Sequence, residues 1–206
     1  MMNKINVLKS LKNIGYSHSS ITNIEKFVDS LLKFNESYNL ISKSTINNIW
    51  LRHILDSAQL IKLLNLKNKP RIADFGSGAG FPGLIIALFE DKHKFHVKLF
   101  EKSPIKRSFL EEIRKKMNLT NIEVHGDIYS YQKISTDIIV CRAFKKLEEI
   151  LKISREIAKK PHKIIILKGK NAQSEINKVS LGSNYSYKLK NSITDNKSKI
   201  IILDVR

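Results

Sequence analysis

Apolar residues recur at helical spacing through the first part of the chain and then change period. A short pattern covers residues 5–14. From Ile21 the apolar positions continue through Ile24, Phe27, Val28, Leu31, Leu32 and Phe34 behind Ser19 or Ser20 as N-cap, which predicts an amphipathic helix. After a connector at residues 38–41, a third pattern opens at Ser44 and runs through Ile46, Ile49, Trp50, Ile54 and Leu55 to Leu64. Together these predict an N-terminal helical cap over residues 1–68, closed by the punctuation "LKNKP".

Over residues 69–206 short apolar runs alternate with helical patterns. "RIADF" reads as a strand and "GLIIALFE" as a helix; "KFHVKLFE" as a strand and "SPIKRSFLEEIRKKMNL" as a helix. "IEVHG" and "DIIVCRAF" are strands, "KKLEEILKISREIAK" a helix, and "HKIIILKGK" and "KIIILDV" late strands. The polar stretch at residues 171–199 is expected to hold a helix and a weaker strand. Such alternation predicts an α/β fold, a doubly wound, mostly parallel sheet with helices on both faces, as one compact unit.

A length of 206 residues with 42% hydrophobic content supports one substantial core. No apolar run approaches the roughly 20 residues of a membrane span, and "MMNKINVLKSLKNIGYS" lacks a signal-peptide core, so an unexported, cytoplasmic protein is expected. The single cysteine, Cys141, excludes an internal disulfide and a CxxC metal knuckle, and no metal is expected. The formal charge of +18 points to a polyanionic partner such as nucleic acid. Heavy joint use of Lys, Asn and Ile, with Lys far ahead of Arg, is also what an A/T-rich coding sequence produces, so position matters more than the total.

The stretch "IADFGSGAGFPG", residues 72–83, lies between the first strand and its helix, where a doubly wound sheet places its ligand crevice. Bare glycines let a nucleoside lie against the turn, and Pro82 suits the first turn of the helix that follows. In one register Gly78, Gly80 and Gly83 satisfy the GxGxxG dinucleotide pattern. In the other, Asp74 precedes Gly76, Gly78 and Gly80, which resembles the S-adenosylmethionine loop of class I methyltransferases, whose acid lies near the positively charged methionyl part. An acid there would repel a pyrophosphate. Glu101, ending the next strand, accepts both ribose hydroxyls under either reading.

The chemistry of the acceptor is narrowed by what is missing. Cytosine-C5 methylation needs a thiolate, whereas Cys141 sits in the apolar run "DIIVCRAF" as an inert core thiol. Exocyclic-amine methylases usually carry an Asn/Asp-Pro-Pro-aromatic turn after the fourth strand, and here that place reads Cys141, Arg142, Ala143, Phe144. An acceptor that is already nucleophilic, such as guanine N7 with its free lone pair, needs mainly positioning and desolvation instead of a base. Arg142 and Lys168, each ending a strand at the ligand edge, are the candidate catalytic residues. Arg142 would orient the purine through O6, and Lys168 would fix a nearby phosphate. His53, Asp56 and Ser57 share one helical face. They read as a patch docking the cap onto the glycine loop, with Arg52 and Asp56 paired at i, i+4, and not as a hydrolase triad, whose members come from separate segments.

Asn39-Leu40, "RHILDS" at residues 52–57, "DFGSGAGFPG", "EKSPIKRSFL", "CRAF" and "LKGK" occur in an order and spacing that resembles the RsmG (GidB) family over nearly the whole chain. The resemblance implies a bacterial methyltransferase with the class I Rossmann-like fold. Such an enzyme transfers a methyl group from S-adenosylmethionine to N7 of a guanine in 16S ribosomal RNA, free or within the small ribosomal subunit, and a monomer is expected. It assigns cofactor contacts to Gly76 and Phe81, the ribose to Glu101, the adenine edge to Ile128 and Tyr129, and a further cofactor-side position to Arg142. Relatives usually follow the third strand with an Arg-Val-Glu-Glu-like run, whereas this chain has Asp127-Ile128-Tyr129-Ser130, and Asp127 cannot supply the positive charge. A nicotinamide-dependent oxidoreductase and a noncatalytic RNA-binding module stay open as alternatives.

Overall fold

The strands are β1 (Arg71–Phe75), β2 (His96–Phe100), β3 (Ile122–His125), β4 (Ile138–Arg142), β5 (His162–Lys168), β6 (Tyr185–Asn191) and β7 (Lys199–Val205). They form one sheet of order β3-β2-β1-β4-β5-β7-β6 in a computed structural model that describes residues 3–90, 94–158 and 161–206. The first five run parallel, while β7 pairs antiparallel with both β5 and β6. The central strands β1 and β4 are apolar and buried almost throughout, as strands covered on both faces must be. Met1 and Met2, the start of the cap reading, and Lys159, the end of the helix read at 145–159, lie outside the described residues.

The N-terminal segment opens with α1 (Lys4–Ile14) and α2 (His18–Ser37). Ser17, not Ser19 or Ser20, is the N-cap of α2: its backbone is extended and its Oγ accepts from Ser20 N at 3.0 Å. Ser19 and Ser20 lie inside the first turn, where their hydroxyls bond Glu90 instead.

The pattern read from Ser44 to Leu64 is not one helix. It breaks into α3 (Lys43–Ile46), a π-helical turn (Trp50–Leu55), α4 (Asp56–Ala58) and a 3₁₀ turn (Gln59–Leu63). Apolar spacing reports which side faces the core and is blind to how the turns between are hydrogen-bonded.

Beyond β1 come α5 (Gly83–Ala87), α6 (Pro104–Lys116), α7 (Leu147–Ile157) and α8 (Ala172–Asn177). α5 is shorter than its apolar run, and Pro82 is its N-cap instead of lying within its first turn. One hydrophobic cluster joins α1, α2, α5 and α6 to one face of the sheet, and a second joins α7 and α8 to the other. Phe27 links the cap to the glycine loop, with its ring centroid 5.6 Å from Phe81 and 6.1 Å from Phe109. Among the described residues no helix is long and apolar enough to cross a membrane.

Phe27 is fully buried and joins both parts of this cluster. Phe27→Ala should lower the unfolding free energy by about 3–5 kcal/mol in a urea titration, through lost transfer energy and the cavity left behind. A loss under about 1 kcal/mol would show that the helical segment does not depend on this contact.

Candidate active site

The sheet order changes direction between β1 and β4, since β1 leads on to β2 and β4 to β5. That switch opens a crevice at the carboxyl ends of these strands. It holds a cavity of about 380 Å³, walled by Gly76 to Ala79 and Phe81 of the loop, by Phe100 and Glu101 at the end of β2, by Asp127, Ile128 and Tyr129 after β3, and by Arg142 to Lys145 at the end of β4. Leu40, Ile41 and His53 close it from the N-terminal segment.

The loop is fixed by its backbone. The amides of Gly76 and Ser77 both donate to Phe100 O, at 2.9 and 3.0 Å, which ties the end of β1 to the end of β2. Gly76 has φ +71°, and a Cβ there would lie 2.5 Å from the Phe144 ring. Gly83 approaches the sheet so closely that a Cβ would meet Leu99 at 2.5 Å and Asp74 at 2.6 Å. Gly78 also has positive φ and faces the cavity, whereas Gly80 packs on Leu84 and Leu110 and is absent from the wall.

Two carboxylates hold this geometry. Glu101 accepts from Gly78 N with one oxygen and from Ser103 N with the other, both at 2.8 Å, so it braces the loop from the cavity side. Asp74 does not reach the cavity. It is fully buried beneath the loop, and its Oδ2 accepts from Gly83 N at 2.8 Å. Asp74 therefore occupies the first amide of α5, the donor that a dinucleotide-binding loop leaves free for pyrophosphate. Burial raises its pKa from 3.8 to about 7, against the pull of the Gly83 amide, Ser77 and Arg142.

Across β1 the wall is built around Arg142. In a regular α-helix the Asp56 amide would bond the carbonyl of Arg52; in the π-helical turn it bonds Leu51 O and His53 O instead. The freed Arg52 carbonyl accepts from Arg142 Nη1 at 2.7 Å. Arg142 Nη2 meets His53 Nδ1 at 2.7 Å, Asp56 Oδ2 lies 3.6 Å from Nη1, and the guanidinium sits 5.1 Å over the Phe81 ring. His53 in turn packs against Phe81 with centroids 4.8 Å apart.

The expected docking patch is thus present, but its ion pair is different. Arg142 replaces Arg52 as the partner of Asp56, and the Arg52 side chain is exposed. Ser57 is buried, with no hydrogen-bond partner for its hydroxyl among the described residues. Burial, then Arg142 and Arg52, lower the His53 pKa from 6.5 to about 3, so the ring is neutral. Its Nε2 is buried without a partner among the described residues, a condition that costs about 1–3 kcal/mol.

Lys168 is the clearest departure from the sequence reading. Its Nζ donates to both Glu175 oxygens, at 3.0 and 2.8 Å, and to Lys145 O at 2.9 Å, and it is not in the cavity wall. Phosphate binding there would require breaking a satisfied, largely buried pair. Ile128 and Tyr129 do line the cavity, Ile128 buried and Tyr129 on the rim, where its hydroxyl bonds Glu149 and Lys145 lies over its ring. Lys102, Lys106 and Lys145 of the wall were missed. In sequence they are three lysines among many, and only the fold brings them to one mouth. Cys141 is fully buried, and burial pushes its thiol well above the usual range.

This strand order, with a braced glycine loop and a carboxylate at the end of β2, defines a class I methyltransferase. A SAM dependent methyltransferase from Aquifex aeolicus shares the fold, with a TM-score of 0.59 at 15% identity over 83% of this chain and 97% of that one. The family model for rRNA small subunit methyltransferase G (GidB) matches residues 20–201, and the chain belongs to that family. The ribosomal RNA small subunit methyltransferase G of Orientia tsutsugamushi (strain Ikeda) is 35% identical over 195 residues, 94% of this chain and 96% of that protein. The protein of that name from Pelagibacter ubique (strain HTCC1062) is 33% identical, over 93% and 91%.

Two substitutions test this geometry. Asp74 holds its proton more tightly folded, with a pKa of about 7, than unfolded, near 3.8. The folded state therefore binds more protons between those values. The stabilisation is complete below about pH 4 and falls by up to roughly 1.4 kcal/mol per pH unit until about pH 7. Asp74→Asn should remove that slope in denaturant melts from pH 4 to 8, and a parallel curve for the variant would refute the assignment. Lys168→Ala should cost about 1–3 kcal/mol of stability and leave RNA affinity within about twofold. A large affinity loss with unchanged stability would restore Lys168 to the RNA.

Proposed function

We propose that this chain is an S-adenosylmethionine-dependent methyltransferase that modifies N7 of a guanine in small-subunit ribosomal RNA. The observation that carries the reading is the crevice between β1 and β4, whose two sides differ. On the β2 side it is braced by Glu101, and on the β4 side it is walled by a neutral His53 and a guanidinium already committed to its neighbours. The cavity volume of about 380 Å³ suits a nucleoside-sized ligand. Gly76, Gly78, Phe81, Ile128 and Tyr129 would line the bound cofactor, and Glu101, each of whose oxygens keeps a free lone pair, would accept the ribose hydroxyls. Asp74 acts on the cofactor only through the loop it holds. When bound, S-adenosylmethionine supplies an electrophilic methyl group.

The protein's own part is positional. Guanine N7 carries no proton, so no base is needed; His53 stays unprotonated down to about pH 3, and both Glu101 oxygens accept backbone amides. What the wall provides is a dry, shaped approach for the purine. Lys102, Lys106 and Lys145 surround the mouth, where phosphates of the flanking RNA would lie. Residues 1–68 act as the cap that closes the crevice and residues 69–206 as the cofactor unit of a cytoplasmic monomer that needs no metal. The occupied α5 amide disfavours the nicotinamide reading, because a pyrophosphate would have to displace Asp74.

Small-subunit RNA or subunits from cells lacking the gene should gain 7-methylguanosine when incubated with the protein and labelled S-adenosylmethionine, as read by nucleoside mass spectrometry. Label in another nucleoside, or none, would overturn the reading. RNA affinity should fall with salt by a log-log slope of about 0.7–0.9 per phosphate contacted, and replacing Lys102, Lys106 and Lys145 by Ala should reduce that slope by roughly two to three.

A further inference from the structure

Of the buried polar side-chain atoms that lack a hydrogen-bond partner among the described residues, His53 Nε2 alone belongs to a residue of the cavity wall. The protonation of this ring is settled by its neighbour. Arg142 Nη2, 2.7 Å from Nδ1, is only ever a donor, so Nδ1 is the acceptor and the hydrogen lies on Nε2. His53 is 9% exposed and held on two sides, by Arg142 and by Phe81. A buried N–H without a partner is uncommon and calls for a reason. Here the ring is held on two sides, its donor is known, and His53 is among the residues that line the cavity.

The side of the cavity identifies the partner. Glu101 follows β2, whereas His53 is bound to Arg142 at the end of β4, on the other side of β1. The cofactor's nucleoside belongs with Glu101, so the acceptor base belongs with His53. A guanine presents N7 and O6 side by side as acceptors, whereas adenine presents N7 beside an amino donor. We propose that His53 reads the target base through its Nε2–H, which donates to guanine O6 and so aims N7 while rejecting adenine. This rests on the N7-guanine reading and moves the contact with O6 from Arg142 to His53. Both terminal nitrogens of Arg142 are engaged by the helical segment, which makes Arg142 a positioning residue for the imidazole. A neutral donor also suits the product: N7-methylation makes the purine cationic, and a charged donor at O6 would oppose it.

The test removes the donor from the protein and the acceptor from the base. After the modified guanine has been mapped, small-subunit RNA is assembled with guanine or with 2-aminopurine, which keeps N7 and lacks O6, at that position. Wild type should favour guanine by about tenfold or more in kcat/KM, the effect of one buried hydrogen bond. His53→Phe, which keeps a ring against Phe81, should bring that ratio to within about threefold of unity, and His53→Gln, which keeps a donor, should restore part of it. S-adenosylmethionine affinity, read by calorimetry, should stay within about threefold in both variants.

An unchanged base ratio in a folded His53→Phe variant overturns the inference while leaving 7-methylguanosine formation, and so the function, intact. A loss of cofactor affinity with the ratio unchanged assigns the donor to S-adenosylmethionine instead and also overturns it. If His53→Phe does not fold, His53→Leu takes its place, and an unchanged base ratio in that folded variant overturns the inference as well. A wild type that makes no 7-methylguanosine removes the functional reading and this inference together.

Discussion

Arg142 brings one guanidinium into the seam between the N-terminal segment and the sheet, and the shape of the crevice follows from how that group is satisfied. Burying a cation costs several kcal/mol unless its donors are occupied. The Arg52 carbonyl, His53 Nδ1 and the nearby Asp56 carboxylate meet it on one side, and the Phe81 ring lies against its face. A lysine ammonium has no planar fork with which to address two partners and a ring at once. The π-helical turn is part of the same arrangement, since without it the Arg52 carbonyl would be bonded within its own helix. The helical segment, glycine loop and β4 therefore share one junction, and none of the three can move without disturbing the others.

The junction extends to the other end of the chain. Asp56 Oδ1 accepts from Thr194 Oγ1 at 2.8 Å and from Gln59 Nε2 at 2.9 Å, while Gln59 Oε1 accepts from Ile193 N at 3.0 Å. These residues lie in the turn between β6 and β7, so the antiparallel pair at the sheet edge braces the segment that closes the crevice. Burial raises the Asp56 pKa, and Arg142, Thr194 and Arg52 oppose the rise. A buried polar network of this kind stabilises only when every member is satisfied, which ties local order at the sheet edge to order at the site.

Much of this was legible in the sequence. The alternation after residue 69 predicts the sheet because buried parallel strands are written as short apolar runs, and "RIADF" and "DIIVCRAF" are unambiguous. The glycine loop, Glu101 and Arg142 were found because position at the end of a strand is a chemical statement in this fold. Lys168 also ends a strand, and the same rule misplaced it. Glu175, on a weakly patterned helix seven residues later, captures its ammonium, and no spacing announces such a pair. Asp74 was recognised as decisive for the ligand but for the wrong reason. It occupies a backbone amide beneath the loop and is absent from the cavity wall. The π-helical turn was invisible because apolar spacing does not record which carbonyl an amide chooses, and the role of Arg52 depends on that choice.

The surplus of positive charge is sorted by depth. Of the cations at the crevice, Arg142 is largely buried and satisfied, and Lys168 is paired outside the wall, while Lys102 and Lys145 are exposed at the mouth with half-buried Lys106. The His53 ring in the wall is kept neutral by burial and by the Arg142 guanidinium. This sorting matches the two demands of an RNA-modifying site. Phosphates are held by flexible ammonium groups in high dielectric, where the attraction is long-ranged and easily exchanged. The base enters a region without free charge, where a lone pair is poorly solvated and direction is set by shape and one neutral donor. An unpaired cation deep in the cavity would work against both, drawing phosphate where the purine must sit and repelling the cationic product. The protein avoids this by tying its deep arginine to the helical segment, so the group that builds the wall is not free to bind the substrate.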